Sequence, residues 1–147
     1  MKVTNLKLLA TSDKDLSVIA AHLQDSIVLP KDIANLKTNR IFLIQLNRFM
    51  WEDVEKGVFR KNKRIRTILK FDNVIRVSSK NINIKSDKHF LDFLTIETTL
   101  LLDKSYEIKL IFSGEATIKV NAEVIDVTLD DQGSPWESKT APKHNFL

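Results

Sequence analysis

Residues 40–51 read Arg-Ile-Phe-Leu-Ile-Gln-Leu-Asn-Arg-Phe-Met-Trp, and this stretch decides the fold. Ile41 to Ile44 form an unbroken apolar run, after which the chain alternates. Phe42, Ile44 and Leu46 project to one side of an extended chain, and Leu43, Gln45 and Asn47 to the other. A period of two separates the faces of a strand, and β-branched and aromatic side chains suit a pleated surface. The stretch is expected to be a central strand, buried on one face and partly on the other. Glu52, Asp53 and Glu55 follow it, and then a long basic run. A core strand opening into charged chain is where a small domain can carry function.

On the N-terminal side, Leu6 to Ala10 is a short apolar run suited to a first strand. Ser12-Asp13-Lys14-Asp15 resembles a capping box, with the Ser12 hydroxyl accepting from the Asp15 N–H and the Asp15 carboxylate reaching back to the Ser12 N–H. Leu16, Ile19, Ala20 and Leu23 recur at helical spacing, which predicts a helix over residues 13–23. Ile27 to Leu29 and Ile33 to Leu36 are short extended pieces. Pro30 between them lacks a ladder donor and marks an edge or a bulge.

On the C-terminal side, Ile65, Thr67, Leu69 and Phe71 alternate with Arg64, Arg66, Ile68 and Lys70 as in a half-buried strand. Val74 to Val77 either continue it or begin its hairpin partner across Asp72-Asn73. Phe90 to Leu102 is a further strand. Tyr106 to Phe112 and Ala116 to Val124 form a hairpin around Gly114. The apolar parity slips within Ala116 to Leu129, which predicts a β-bulge in one continuous strand. The expected fold is α+β and mainly antiparallel: a curved sheet or partly open barrel of about 7–9 strands with one N-terminal helix packed on it. Residues 1–131 make a single globular domain, and the polar residues 132–147, with Gly133, Pro135 and Pro142, make a C-terminal tail pinned by Trp136.

The chain of 147 residues contains no cysteine, which removes disulfide frameworks, thiolate zinc sites and cysteine nucleophiles together. Its three glycines all fall in expected loops, leaving none for a phosphate cradle. The first ten residues are broken by Asn5 and Lys7 and carry no signal-peptide core, so a soluble, cytoplasmic protein is expected. No apolar run approaches the ~20 residues needed to span a bilayer. His22, His89 and His144 are scattered, so neither a metal site nor a cofactor is expected. His22 sits near the C-terminal end of the predicted helix, where an imidazolium suits the helix dipole.

Two groups of residues stand out as candidate sites. Between Lys56 and Lys70 lie seven basic residues and no acid, so the rest of the chain carries 16 basic against 19 acidic residues. Arg60, Lys61, Lys63, Arg64, Arg66 and Lys70, with Phe59 as a stacking ring, are the candidate binding residues of this segment. Such a run is also what a solvated, aggregation-resistant strand face looks like. The second group is Asn47, Arg48, Trp51 and Glu52, with Asp53 beside them. Arg48 can pair with Glu52 or Asp53 across a turn as a structural brace, or can bind an anionic ligand. No nucleophile elbow, P-loop, dinucleotide fingerprint or zincin motif is present.

Four pieces occur in a fixed order: His-Leu-Gln-Asp at 22–25, Leu-Asn-Arg-Phe-x-Trp-Glu at 46–52, the basic run ending in Phe71-Asp72, and Leu-x-Asp-x-Gly-x-x-Trp at 129–136. As a set they resemble a bacterial family of small single-domain proteins classified only as a domain of unknown function. The resemblance implies a bacterial, single-domain protein and transfers no activity or site. The first reading is therefore a non-catalytic binding or scaffold domain whose partner is a protein or a second copy of itself. The runner-up is a binder of nucleic acid or another polyanion through residues 56–70. A small-molecule enzyme built around Asn47–Asp53 comes third.

Overall fold

The computed structural model describes residues 5–52, 63–83 and 89–137. Its strands are β1 (Lys7–Ala10), β2 (Ile27–Val28), β3 (Ile33–Leu36), β4 (Ile41–Phe49), β5 (Lys63–Phe71), β6 (Val74–Lys80), β7 (Leu91–Leu100), β8 (Tyr106–Phe112), β9 (Thr117–Ala122) and β10 (Val127–Glu137), with one helix, α1 (Asp13–Leu23). β4 is central, as its alternation demands: Phe42, Ile44 and Leu46 are buried and their neighbours half-buried. The architecture is α+β, one helix on a ten-stranded antiparallel sheet that does not close.

The strand order is β1-β10-β5-β4-β2-β7-β8-β9-β6, with β3 also paired to β4. β5 runs along β4 from Phe42 to Phe49. The opposite side of β4 is shared, β3 taking Ile41 to Ile44 and β2 taking Asn47. The first strand pairs with the last, Lys7 to Ala10 lying against Asp130 to Val127. α1 packs across the inner side with Leu16, Ile19 and Leu23 buried in the common core.

Local chemistry accounts for these elements. The Ser12 hydroxyl caps α1 by accepting from the Asp15 N–H at 3.1 Å. The Asp15 carboxylate accepts from the Thr11 N–H at 3.0 Å. The β8–β9 hairpin places Leu110 opposite Ile118 and Ile108 opposite Val120, all four buried. Its turn bends through Gly114 at φ 70°, a left-handed conformation that costs glycine nothing sterically.

Three expectations need correction. The parity slip between Ala116 and Leu129 is a corner rather than a bulge. β9 pairs with β8 and β6, whereas β10 pairs with β5 and β1. Splitting that segment is what raises the strand count to ten. Likewise β6 is not the hairpin partner of β5: Asn73, at φ 58°, turns the chain away to pair with β9. The two corners brace each other, with the Asp72 N–H donating to the Asp126 carbonyl at 2.9 Å and the Glu123 N–H to the Asn73 carbonyl at 3.0 Å. Finally, residues 132–137 are strand and not tail, because β10 resumes pairing after an irregularity, Trp136 opposite Arg64 and Glu137 opposite Lys63. Among the described residues, no helix is long and apolar enough to cross a membrane.

Candidate functional site

Arg48 lies on the same parity of β4 as Phe42, Ile44 and Leu46, so its side chain enters the core, where the residue is 0% exposed. A guanidinium taken out of water must find compensating charge. Asp131 supplies it from β10, on the buried parity of Val127 and Leu129. The two residues meet across β5, where Thr67 is the partner of both Leu46 and Asp131. Arg48 Nε donates to Asp131 Oδ1 at 2.8 Å and Nη2 to Oδ2 at 2.6 Å, a bidentate pair. Arg48 Nη1 donates to both Glu52 oxygens at 3.1 Å. Asp131 also accepts from the Leu6 N–H at 2.9 Å and thereby holds the chain entering β1.

The electrostatics follow from burial and pairing. Burial pulls the Arg48 pKa down, but the hydrogen bonds it donates to Asp131 and then Glu52, with the negative charge of both, outweigh it, and the net shift is upward. Burial pushes the Asp131 carboxyl up, and the Arg48 guanidinium with the Leu6 N–H reverses this, leaving it below the usual carboxylate range. Both members of the pair are thus held charged.

The rim of this network is accessible. Glu52 and His22 side chains are 22% and 25% exposed, with His22 Nδ1 at 3.8 Å from Glu52 Oε2, beyond hydrogen-bond reach. Trp51 packs edge-on against Phe49 at 4.7 Å between centroids, and its Nε1 donates to the Gln24 carbonyl at 2.9 Å. Lys14, Ser17, Val18, Ala21, His22, Trp51 and Glu52 line an open groove of about 400 Å³. The described part of the second candidate group therefore converges as a brace with one carboxylate at a surface groove. Asn47 lies beside it on β4, its carbonyl accepting from Arg64 Nη1 at 3.1 Å. Asp53 lies outside the described residues.

The described residues of the basic segment do not share one exposed face. Phe59, Arg60 and Lys61 lie outside the described residues. Arg64, assigned by parity to an outward stripe, is only 9% exposed. Its Nη1 donates to the Asp25 carbonyl at 3.2 Å as well as to that of Asn47, and its guanidinium lies 5.8 Å from the centre of the Phe49 ring. Arg66 stays exposed, Lys63 is half-buried, and Lys70 pairs with Asp72 at 3.6 Å. Arg64 therefore does not share a solvent-facing stripe with Arg66 and Lys70. No group of three or more potential metal ligands occurs among the described residues.

Apolar exposure concentrates elsewhere. Leu100, Tyr106, Ala122 and Val74 form one row across β7, β8, β9 and β6. The row extends to β4 through the Val74 N–H, which donates to the Arg40 carbonyl at 3.0 Å. Just at or beyond it stand Leu36, Ile75, Leu100, Leu102 and Val124, five of the ten exposed large apolar residues among those described. Lys37, Arg40, Arg76 and Lys104 stand among them, with Asp103 and Glu123. This cluster escaped sequence reading because it is assembled from four turns, each unremarkable alone. The available signal was Leu100-Leu101-Leu102, an apolar run placed at a turn.

Residues 6–144 match the family described as Protein of unknown function (DUF2948), so the chain belongs to that family. No curated protein and no solved structure matches the chain.

Proposed function

We propose that this DUF2948 chain is a non-catalytic protein-binding domain. The observation that carries the reading is one end of the sheet, where Leu36, Ile75, Leu100, Leu102 and Val124 are each exposed to water. Single exposed leucines are ordinary, but five large apolar residues at one end of a sheet, with charged residues among them, have the composition of an interaction surface. The Arg48 network supports the same reading from the other side. Its second carboxylate, Asp131, is sealed in the core and held by Arg48 and the Leu6 N–H, so it serves as a structural brace and is not presented to the groove beside Glu52.

The test is affinity capture from the native host with three baits: wild type, Leu100→Ser and Leu102→Ser. Each runs with and without nuclease. Leu102 is fully exposed, so replacing it leaves the fold intact. A specific protein partner, insensitive to nuclease and lost with the serine variants, is the expected result. Equal capture by all three baits, or capture abolished by nuclease, overturns the reading. Sedimentation of the purified wild type and variants distinguishes a foreign partner from a second copy of the chain.

A further inference from the structure

Among the described residues β3 pairs only with β4 and β6 only with β9, so each leaves a strand edge open, as β1 does at the far end of the sheet. The curvature of the sheet brings the β3 and β6 edges together. At one end the two edges are clasped: the Val74 N–H donates to the Arg40 carbonyl at 3.0 Å, and Arg40 Nε donates to the Val74 carbonyl at 3.3 Å. Beyond the clasp, no backbone hydrogen bond joins β3 to β6 among the described residues. An open slot of about 230 Å³ separates them. Phe42 and Ile118, both buried, floor it, and Ile33, Val77 and Ile82 form its apolar walls. A dry cavity of ~150 Å³ already accommodates a benzene ring, so the slot has room for a large apolar side chain.

The slot does not end at the apolar cavity. Asn35 and Val77 also line an adjoining open cavity whose charged residues are Lys37, Arg40, Arg76 and Glu123. Arg40 is paired with Glu123. Lys37 and Arg76 have no carboxylate within ion-pair distance among the described residues, although Arg76 acts on Asp103 at longer range. One apolar hole between two open strand edges therefore continues into an electropositive one.

We infer that this slot receives an extended segment of a partner protein, adding a strand along β3 or β6. The segment carries a large apolar residue for the cavity and an acidic residue two positions along, toward Lys37 and Arg76. In a strand, residues i and i+2 share a face, so one segment can present an apolar residue to the cavity and an acid to the adjoining cationic residues. Main-chain hydrogen bonds to the open edges hold the backbone, and the two holes choose the side chains. Opposite charge is what commits the occupant to an acidic segment. The inference rests on the protein-binding reading and assigns that reading its ligand chemistry.

A phage-displayed random octapeptide library, selected against the folded protein, tests it. Enriched peptides should share an apolar-x-acidic pattern. Bound peptide should slow amide hydrogen exchange in whichever of β3 and β6 it joins while leaving β1, at the far edge, unchanged. The Arg76→Glu protein should bind those peptides about tenfold more weakly or worse, and selection against it should return a basic residue in place of the acidic one. Ser79→Trp, at an exposed position on the slot's lip, should fill the cavity and abolish binding without loss of fold. No enrichment, a consensus without the acid, or protection outside β3 and β6 overturns the inference. If capture in the preceding experiment still depends on Leu100 and Leu102, the protein-binding reading survives that failure. If capture fails as well, both fall.

Discussion

Arg48 and Arg64 show how burial, rather than sequence neighbourhood, assigns a charged residue its role. Arg48 sits at a core parity and is neutralised by Asp131, 83 residues away. Removing one partner of a buried pair strands the other, so Asp131→Ala should destabilise the fold by about 3–5 kcal/mol in chemical denaturation. The pair also sets an acid response. Asp131 has a folded pKa held below the ordinary carboxylate value, so its stabilising contribution is complete above that ordinary value and is lost as pH falls through the folded pKa. The stability of Asp131→Asn should therefore fall less steeply than wild type below about pH 4, measured as denaturation midpoints across pH. Arg64 lies on the outward parity of β5 yet is covered by Phe49 and bonded to two carbonyls. Arg64→Ala should cost about 1–3 kcal/mol, whereas exposed Arg66→Ala should stay within about 0.5 kcal/mol. Equal effects of the two changes would contradict this division. The pairing of Arg48 with Glu52 was legible because the two lie four residues apart. Asp131 was legible only in hindsight, as an acid on the parity of Val127 and Leu129, which demands a buried cation. Arg64 was not legible, because the residues that cover it come from other strands.

At the scale of elements, alternation and capping carried most of the information. α1 has the bounds its period predicts, and the β8–β9 hairpin has the pairing its Gly-containing turn predicts. Leu110 is the clearest probe of that hairpin, being fully buried opposite Ile118. Leu110→Ala should lower stability by about 2–5 kcal/mol, read from the denaturation midpoint. A change below 1 kcal/mol, about what a surface substitution gives, would place the residue outside the core. What alternation could not supply was which strand pairs with which. A parity slip has the same sequence appearance whether the strand bulges or the chain turns a corner into another part of the sheet. Between β9 and β10 it turns, and the corner is fixed by bonds to Asp72 and Asn73, some fifty residues earlier. The strand at 132–137 was hidden for a related reason. Gly133, Ser134 and Pro135 interrupt the pairing, and only the later registry of Trp136 and Glu137 with Arg64 and Lys63 restores it.

For the whole molecule, the order β1-β10-β5-β4 makes β10 an interior strand of the sheet. β10 lies between β1 and β5, and it also delivers Asp131 to Arg48. Without it β1 loses its partner, one edge of β5 opens, and the Arg48 guanidinium is left buried against Glu52 alone. Each of these losses is of the size that unfolds a domain with a net stability of about 5–15 kcal/mol. A chain ending at Asp126 should therefore show no cooperative unfolding transition and no dispersed amide spectrum, although it keeps β2 to β9 and α1. Adding a separate peptide of residues 127–137 should restore both, because the missing strand is contiguous and its pairing is antiparallel on both sides. A truncated chain that folds by itself would show that β4, β7, β8 and β9 form an independent core and that β10 is an addition to it. The open edges of β3 and β6 are then the contrasting case. Their loss of pairing is built into the native fold, so their outward amides should exchange faster than those of β4, β5 and β10 in the intact protein. That gradient is the physical condition for an incoming strand to find vacant hydrogen-bonding groups at β3 and β6 without first displacing a native neighbour.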